Sequence, residues 1–174
     1  PPPLDPFLSR GYEREQREGE SMSFIGAYFY DKIMKDAEEA CLGEWRKDLL
    51  ANADGKVLEI GAGTGASLGY YPNKPSLELY LSEPDKNMRK QLEGKLSLLQ
   101  RTDIHVLSSA AESIDAGDNF FDYVFVSLVC CSVDCVQTSL KEIKRVLKPT
   151  GKLIFLEHVA AERGSSRRKW QNRL

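Results

Sequence analysis

VLEIGAGTG, running from Val57 to Gly65, is the stretch that decides the reading of this chain. A run of strand length, interrupted only by Glu59, passes directly into Gly61, Gly63 and Gly65 and then into ASLGYY, which reads as the start of a helix. Glycine is needed where the backbone turns sharply, or where a bound molecule meets the chain with no Cβ between them. A strand, a glycine turn and a helix together form a loop at the carboxyl end of a strand, which is where open α/β sheets hold ligands.

The same alternation continues on both sides of that loop. Leu77 to Leu81 reads as a second strand ending at Ser82 and Glu83, and Asp85 is placed to cap the helix that carries Met88, Leu92, Leu96 and Leu99 on one face. Ile104 to Leu107 and Phe121 to Leu128 read as the third and fourth strands. Val136, Leu140, Ile143, Val146 and Leu147 mark another amphipathic helix, with Lys148, Pro149, Thr150 and Gly151 as its stop and Leu153 to Leu156 as a fifth strand. Upstream, Tyr28, Ile33, Ala37, Ala40, Cys41, Trp45 and Leu49 recur at helical spacing between Phe24 and Leu50. We therefore expect a flexible arm over 1–22, a helical segment over 23–54 and a core over 55–174. Strands separated by helices imply parallel pairing, hence an α/β fold with a Rossmann-like, doubly wound, mainly parallel sheet.

Composition narrows the partners. With 174 residues, 41% hydrophobic and 29% charged, the chain has the make-up of one globular domain. A net charge of -2 offers no basic excess for nucleic acid, so none is expected as a partner. No apolar run approaches the roughly 18 residues of a spanning helix, and PPPLDPFLSR is neither a signal core nor a transit peptide. The expectation is a protein soluble in the cytoplasm or an organelle, although a start at Pro1 leaves room for processing. Cys130, Cys131 and Cys135 crowd into six positions, but zinc prefers separated pairs, and His105 and His158 are not spaced as partners. No metal is expected, and Cys130 and Cys131 read as small buried side chains ending the fourth strand in a reducing compartment.

The glycine loop fits two cofactors. Read as G-x-G-x-x-A with Ala66 last, and with Glu83 where a ribose-binding acid belongs, it matches a dinucleotide fingerprint. Charge favours a different ligand. Glu59 lies two residues before Gly61, where a pyrophosphate would bring about two negative charges, whereas S-adenosylmethionine (SAM) brings a sulfonium and an ammonium. A carboxylate about 4 Å from a cation contributes a few kcal/mol at an effective dielectric near 20. Glu59 is also readable as a strand-end acid paired with a neighbouring Lys or backbone amide. Glu83, closing the second strand in YLSEPD, can accept from both ribose hydroxyls of a nucleoside.

At this point the residues resemble the class I SAM-dependent methyltransferases over about 55–174. LEIGAGTG, LSEPD, SSAAESI and FDYVFVSLVCCSV followed by LKEIKRVLKPTGKLIFLEHV occur in the order and spacing of that family. The helix and strand of the last motif look like the ubiquinone/menaquinone-biosynthesis C-methyltransferases. GTGASLGYYP, SLVCCSV and EHVAAE with Trp170 and Gln171 look closer to the alkyl thiol S-methyltransferases. The resemblance implies that Glu59, Gly61, Ala62, Gly63 and Gly65 surround the methionine moiety and that Glu83, followed by Pro84, takes the ribose. It places Ala110, Ala111 and Glu112 at the adenine, and the backbone of Ser127 and Leu128 at the ammonium. Ala110 stands where many relatives have an Asp that bonds the adenine amino group, which leaves backbone or Glu112 to do so.

Relatives continue past the fifth strand into a helix and an antiparallel hairpin. This chain ends at Leu174, so the hairpin is expected to be missing and an oligomer across the sheet edge is possible. The basic run Arg163, Arg167, Arg168, Lys169 and Arg173 reads as a solvated helix face. The resemblance implies methyl transfer to a small-molecule acceptor, with S-adenosylhomocysteine (SAH) as product. That reaction asks the protein mainly to align the groups. His158, as the catalytic candidate, and Glu157 end the fifth strand facing the methyl, and Tyr28 and Tyr30 are available to cover the cofactor. A thiol acceptor supplies its own thiolate near neutral pH, and a quinol carbon needs a base. An NAD-linked oxidoreductase and a SAM-binding module without turnover are the readings from other classes.

Overall fold

A computed structural model describes residues 42–99 and 101–157. Its centre is a five-stranded parallel sheet in the order β3-β2-β1-β4-β5. The strands are β1 (Lys56–Ile60), β2 (Glu78–Ser82), β3 (Ile104–Leu107), β4 (Phe121–Ser127) and β5 (Leu147–Leu156). The order turns back after β3, so β1 and β4 are neighbours whose following segments leave in opposite directions. A crevice at that switch point, beyond the carboxyl ends, is the ligand position of such sheets.

Alternation along the strands sorts the core onto two faces. Val57, Leu79, Leu81 and Phe125 pack with Leu50, Ala53, Tyr71, Leu77 and Leu92 on one side. Leu58, Ile60, Val124 and Val126 pack with Ala111, Ile114, Ile143 and Val146 on the other. Because β1 is covered on both faces, Val57, Leu58 and Ile60 are all buried, and Glu59 is buried among them.

Three described helices flank this sheet: α1 (Gly43–Leu50), α2 (Lys86–Leu96) and α3 (Val136–Val146). Asp85 caps α2 as expected, its Oδ1 accepting from the N–H groups of Asn87 and Met88 at 2.8 and 2.9 Å. Met88 and Leu92 are the residues α2 buries.

Four local expectations are corrected. ASLGYY forms turns and a 3-10 segment at Leu68–Tyr70, not an α-helix, because Gly69 and Pro72 leave no room for a continuous hydrogen-bonded run. Lys148 to Gly151 is not a loop between helix and strand. β5 begins at Leu147, directly after α3, and these residues form an irregularity between the pairs Phe121↔Leu147 and Tyr123↔Lys152. On α1, Trp45 faces solvent at 52% exposure while Arg46 is buried beside Leu42 and Leu50. Cys130 and Cys131 are exposed in the turn after β4, because the chain leaves the sheet at Ser127.

Residues 1–41, with Tyr28, Tyr30 and Cys41, lie outside the described residues, as do His158, Trp170, Gln171 and the basic run. Among the described residues no helix is long and apolar enough to cross a membrane, and no cluster of His, Cys, Asp and Glu is arranged for a metal ion.

Candidate functional site

Gly61, Gly63 and Gly65 all have positive φ, at 66°, 57° and 88°. The middle one matters most for a ligand, since a Cβ built on Gly63 would meet nothing within 4 Å. The space beside it is open to a bound molecule, and only glycine adopts this conformation without strain. At Gly61 a Cβ would lie 2.5 Å from Val129 Cγ2, and at Gly65 it would collide with Leu68 and Leu92. The outer glycines therefore let the loop pack against the β4 turn and α2, while the middle one leaves a cradle.

The loop is tied to the end of β2. The N–H of Ala62 donates to the Ser82 carbonyl at 3.0 Å, and that of Gly63 donates to Glu83 Oε2 at 2.7 Å. Glu83 Oε1 accepts from the N–H of Asp85 at 2.8 Å. Burial raises the Glu83 pKa, and the two backbone donors oppose that rise. Arg89 steadies the same corner, donating to the carbonyls of Glu83 and of exposed Pro84 at 2.6 and 3.0 Å.

This arrangement bears on the dinucleotide fingerprint. A pyrophosphate site needs free backbone N–H groups and a helix N-terminus behind them. Here the N–H groups of Ala62 and Gly63 point at Ser82 and Glu83, that of Gly65 donates to the Ala62 carbonyl at 2.9 Å, and no α-helix follows. The amides of Ala62, Gly63 and Gly65 are thus turned away from an anion, and a 3-10 segment stands where a helix N-terminus would be.

Glu59 is 3% exposed and lies beneath the loop on the α1 face. The Tyr71 hydroxyl donates to its Oε2 at 2.9 Å, Ser67 donates as well, and the Arg46 charge is close. Burial pushes its pKa up to about 7, and these three neighbours pull the other way. Arg46 also donates to Ser127 Oγ at 3.1 Å, linking the ends of β1 and β4 from below. Glu59 is therefore not an unpaired charge at the mouth of the crevice, and its pull on a cation is weaker than its position in sequence implies. Arg46, Ser67 and Tyr71 were missed because nothing local marks them. The Arg46–Ser127 contact spans 81 residues.

The segment after β3 comes close to Glu83. Ser82 Oγ donates to the Ser109 carbonyl, and the Glu83 N–H donates to the Leu107 carbonyl at 3.0 Å. Ala110 accepts from the Ser113 N–H at 3.2 Å and Ala111 is buried. Glu112 Oε1 accepts from the N–H groups of Asp134 and Cys135 at 2.8 and 3.1 Å, so its carboxylate is engaged at the start of α3. Arg145 fastens the rest of this loop, donating to the carbonyls of Ile114 and Ala116 and to Asp118 and Glu142.

At the β4 end, Leu128 has φ 57°, one of two non-glycine residues with positive φ among those described. A bulky side chain seldom takes this conformation, and such residues gather at functional sites. Its N–H donates to the Leu156 carbonyl at 2.8 Å. Glycine loop, Glu83, the 109–112 segment and the Ser127–Leu128 corner thus surround the carboxyl ends of β1, β2, β3 and β4.

The profile of the methyltransferase domain family matches residues 58–155. The chain belongs to this family. The open space at Gly63 and the half-sequestered carboxylate of Glu83 offer the room and the acceptors that SAM, the cofactor of such methyltransferases, would need. Over 153 residues the chain is 33% identical to thiol S-methyltransferase TMT1B of Rattus norvegicus, covering 86% of this chain and 61% of that protein. It is 31% identical to demethylmenaquinone methyltransferase of Geobacillus sp., covering 66% of this chain and 51% of that protein. Both resemblances drawn from the motifs are borne out, and the chain spans about half to three fifths of these relatives' length. A SAM-dependent methyltransferase from Aquifex aeolicus superposes with a TM-score of 0.68 at 22% identity, over 83% of this chain and 77% of that one. The Rossmann-like class I fold is thereby borne out.

Proposed function

We propose that this chain transfers a methyl group from SAM to a small-molecule acceptor, with a thiol as the acceptor class. The observation that carries the cofactor half is the Gly63 cradle, open to a ligand and joined at 2.7 Å to Glu83. When bound, the sulfonium supplies an activated methyl group whose leaving group is a neutral thioether. The loop of Gly61, Ala62, Gly63 and Gly65 would hold the methionine end. Glu83 retains lone pairs for ribose hydroxyls beside its two backbone donors. The backbone around Ala110 and Ala111 would border the adenine, and Ser127 and Leu128 the ammonium. Glu112 Oε1 is taken by two N–H groups at the start of α3, so adenine recognition would fall to backbone groups or to the remaining Glu112 oxygen. What the protein adds to the chemistry is alignment and exclusion of water.

The thiol is favoured because the rat relative is named a thiol S-methyltransferase and a thiol near pKa 8.5 needs no strong base. A quinol carbon is the second reading, carried by the demethylmenaquinone methyltransferase relative. A net charge of -2 and the absence of a basic excess support a small acceptor over nucleic acid. The three thiols within six positions suit a reducing compartment, cytoplasmic or within an organelle. The test is calorimetric binding of SAM and SAH followed by an acceptor screen. Methylation of alkyl thiols supports the proposal, methylation of quinols alone replaces the thiol, and binding without turnover on either leaves a cofactor-binding module.

A further inference from the structure

Glu157, one residue beyond β5, sends its carboxylate back to the turn after β4. A single oxygen, Oε1, accepts from the N–H groups of Val129 and Cys130 at 2.9 and 3.1 Å, across 28 residues of sequence. These are the two residues that follow Leu128, whose φ of 57° no glycine relieves. The Leu128 N–H is held by Leu156, and the Ser132 N–H returns to the Val129 carbonyl at 2.8 Å. Three successive backbone donors, those of residues 128, 129 and 130, are thus met from the end of β5. Unpaired, they would favour relaxation of the turn to an ordinary conformation.

The turn also borders the glycine loop. Val129 Cγ2 stands where a Gly61 Cβ would project, at 2.5 Å, so a shift of Val129 changes the wall next to the cradle. We propose that Glu157 is a positioning residue, whose carboxylate holds the Leu128–Cys130 turn in its strained shape and so sets the β4 wall of the cofactor crevice. The inference rests on the crevice being the SAM site. It differs from the role the sequence suggests for Glu157, a carboxylate facing the methyl group, because Oε1 is taken by two backbone N–H groups of the turn.

The two roles separate experimentally. Glu157→Gln keeps a carbonyl oxygen able to accept both N–H groups and removes the basic carboxylate, whereas Glu157→Ala removes the acceptor altogether. For a positioning residue, Ala weakens SAM binding about tenfold or more, and Gln stays within about threefold of the parent. Amide exchange at Val129 and Cys130 becomes fast in the Ala variant and remains slow in the Gln variant. If Ala binds SAM like the parent with both amides still protected, or if both variants lose turnover equally at unchanged SAM affinity, Glu157 does not act this way. Should the parent itself fail to bind SAM, the cofactor reading falls and exchange decides alone. Protection lost only in Ala supports the hold on the turn, and equal protection in all three overturns it.

Discussion

The two walls of the crevice reach unusual backbone conformations by different means. On the β1 side, three residues with positive φ are glycines, and the geometry costs almost nothing wherever the chain happens to be. On the β4 side, Leu128 has a similar φ, and Leu156 and Glu157 hold the N–H groups of residues 128 to 130. A local device appears in sequence as a motif. A long-range device appears as ordinary residues, and only the fold brings them together.

The largest effect should come from the local device. Gly63→Val places a branched side chain in the open cradle and forces it to φ 57°. SAM binding should fall by more than about a hundredfold, near 3 kcal/mol, while the strain costs about 1–2 kcal/mol of stability. Circular dichroism would then show a folded chain. Unchanged affinity would mean the loop is a turn and nothing more.

Next in size is Glu83→Ala, which removes a carboxylate from both the ligand and the loop. A loss of about 1.5–3 kcal/mol in SAM affinity is expected, measured by calorimetry. An unaltered Kd would remove Glu83 from the site.

Beneath the loop, the buried acid gives a pH signature. The Glu59 pKa is raised to about 7 from 4.5, so the folded state holds its proton where the unfolded state has released it. Its contribution to stability is full below about 4.5 and is lost as pH rises through about 7. Glu59→Gln should flatten the fall of Tm over that window. A profile that stays as steep as the parent's would show that the titration belongs to another group.

The smallest effect should be at the second wall. Leu128→Gly relieves the positive φ and loses some packing, so the unfolding free energy should rise slightly or stay within about 1 kcal/mol of the parent. A fall of several kcal/mol would mean that Leu128 is held by packing and not by strain borne elsewhere.

Much of the fold was legible because periodicity and punctuation are local. VLEI, the Asp85 cap and the glycine loop each carry their own signal, and together they imply the parallel sheet that is observed. ASLGYY misled because its apolar spacing outweighed Gly69 and Pro72. Cys130 and Cys131 misled because apolar character continued past the residue at which the strand leaves the sheet. The polar group of Arg46, Glu59, Ser67 and Tyr71 was illegible for another reason. A buried arginine resembles an exposed one in sequence, and Trp45 beside it was the more persuasive core residue, yet Trp45 faces solvent. Of the candidate site, Glu83 and the glycines came from motif and chemistry together, whereas Glu112 proved to be engaged at α3 and Glu157 at the β4 turn.

We propose that the crevice beside Gly63 takes a nucleoside carrying a cationic methyl donor, not a dinucleotide. Titrating the chain with SAM, SAH and NAD in parallel by calorimetry tests it most directly. One site per chain is expected for SAM and SAH, each lost in Gly63→Val, with no measurable heat from NAD. Saturable NAD binding that also disappears in Gly63→Val, with SAM silent, would contradict it.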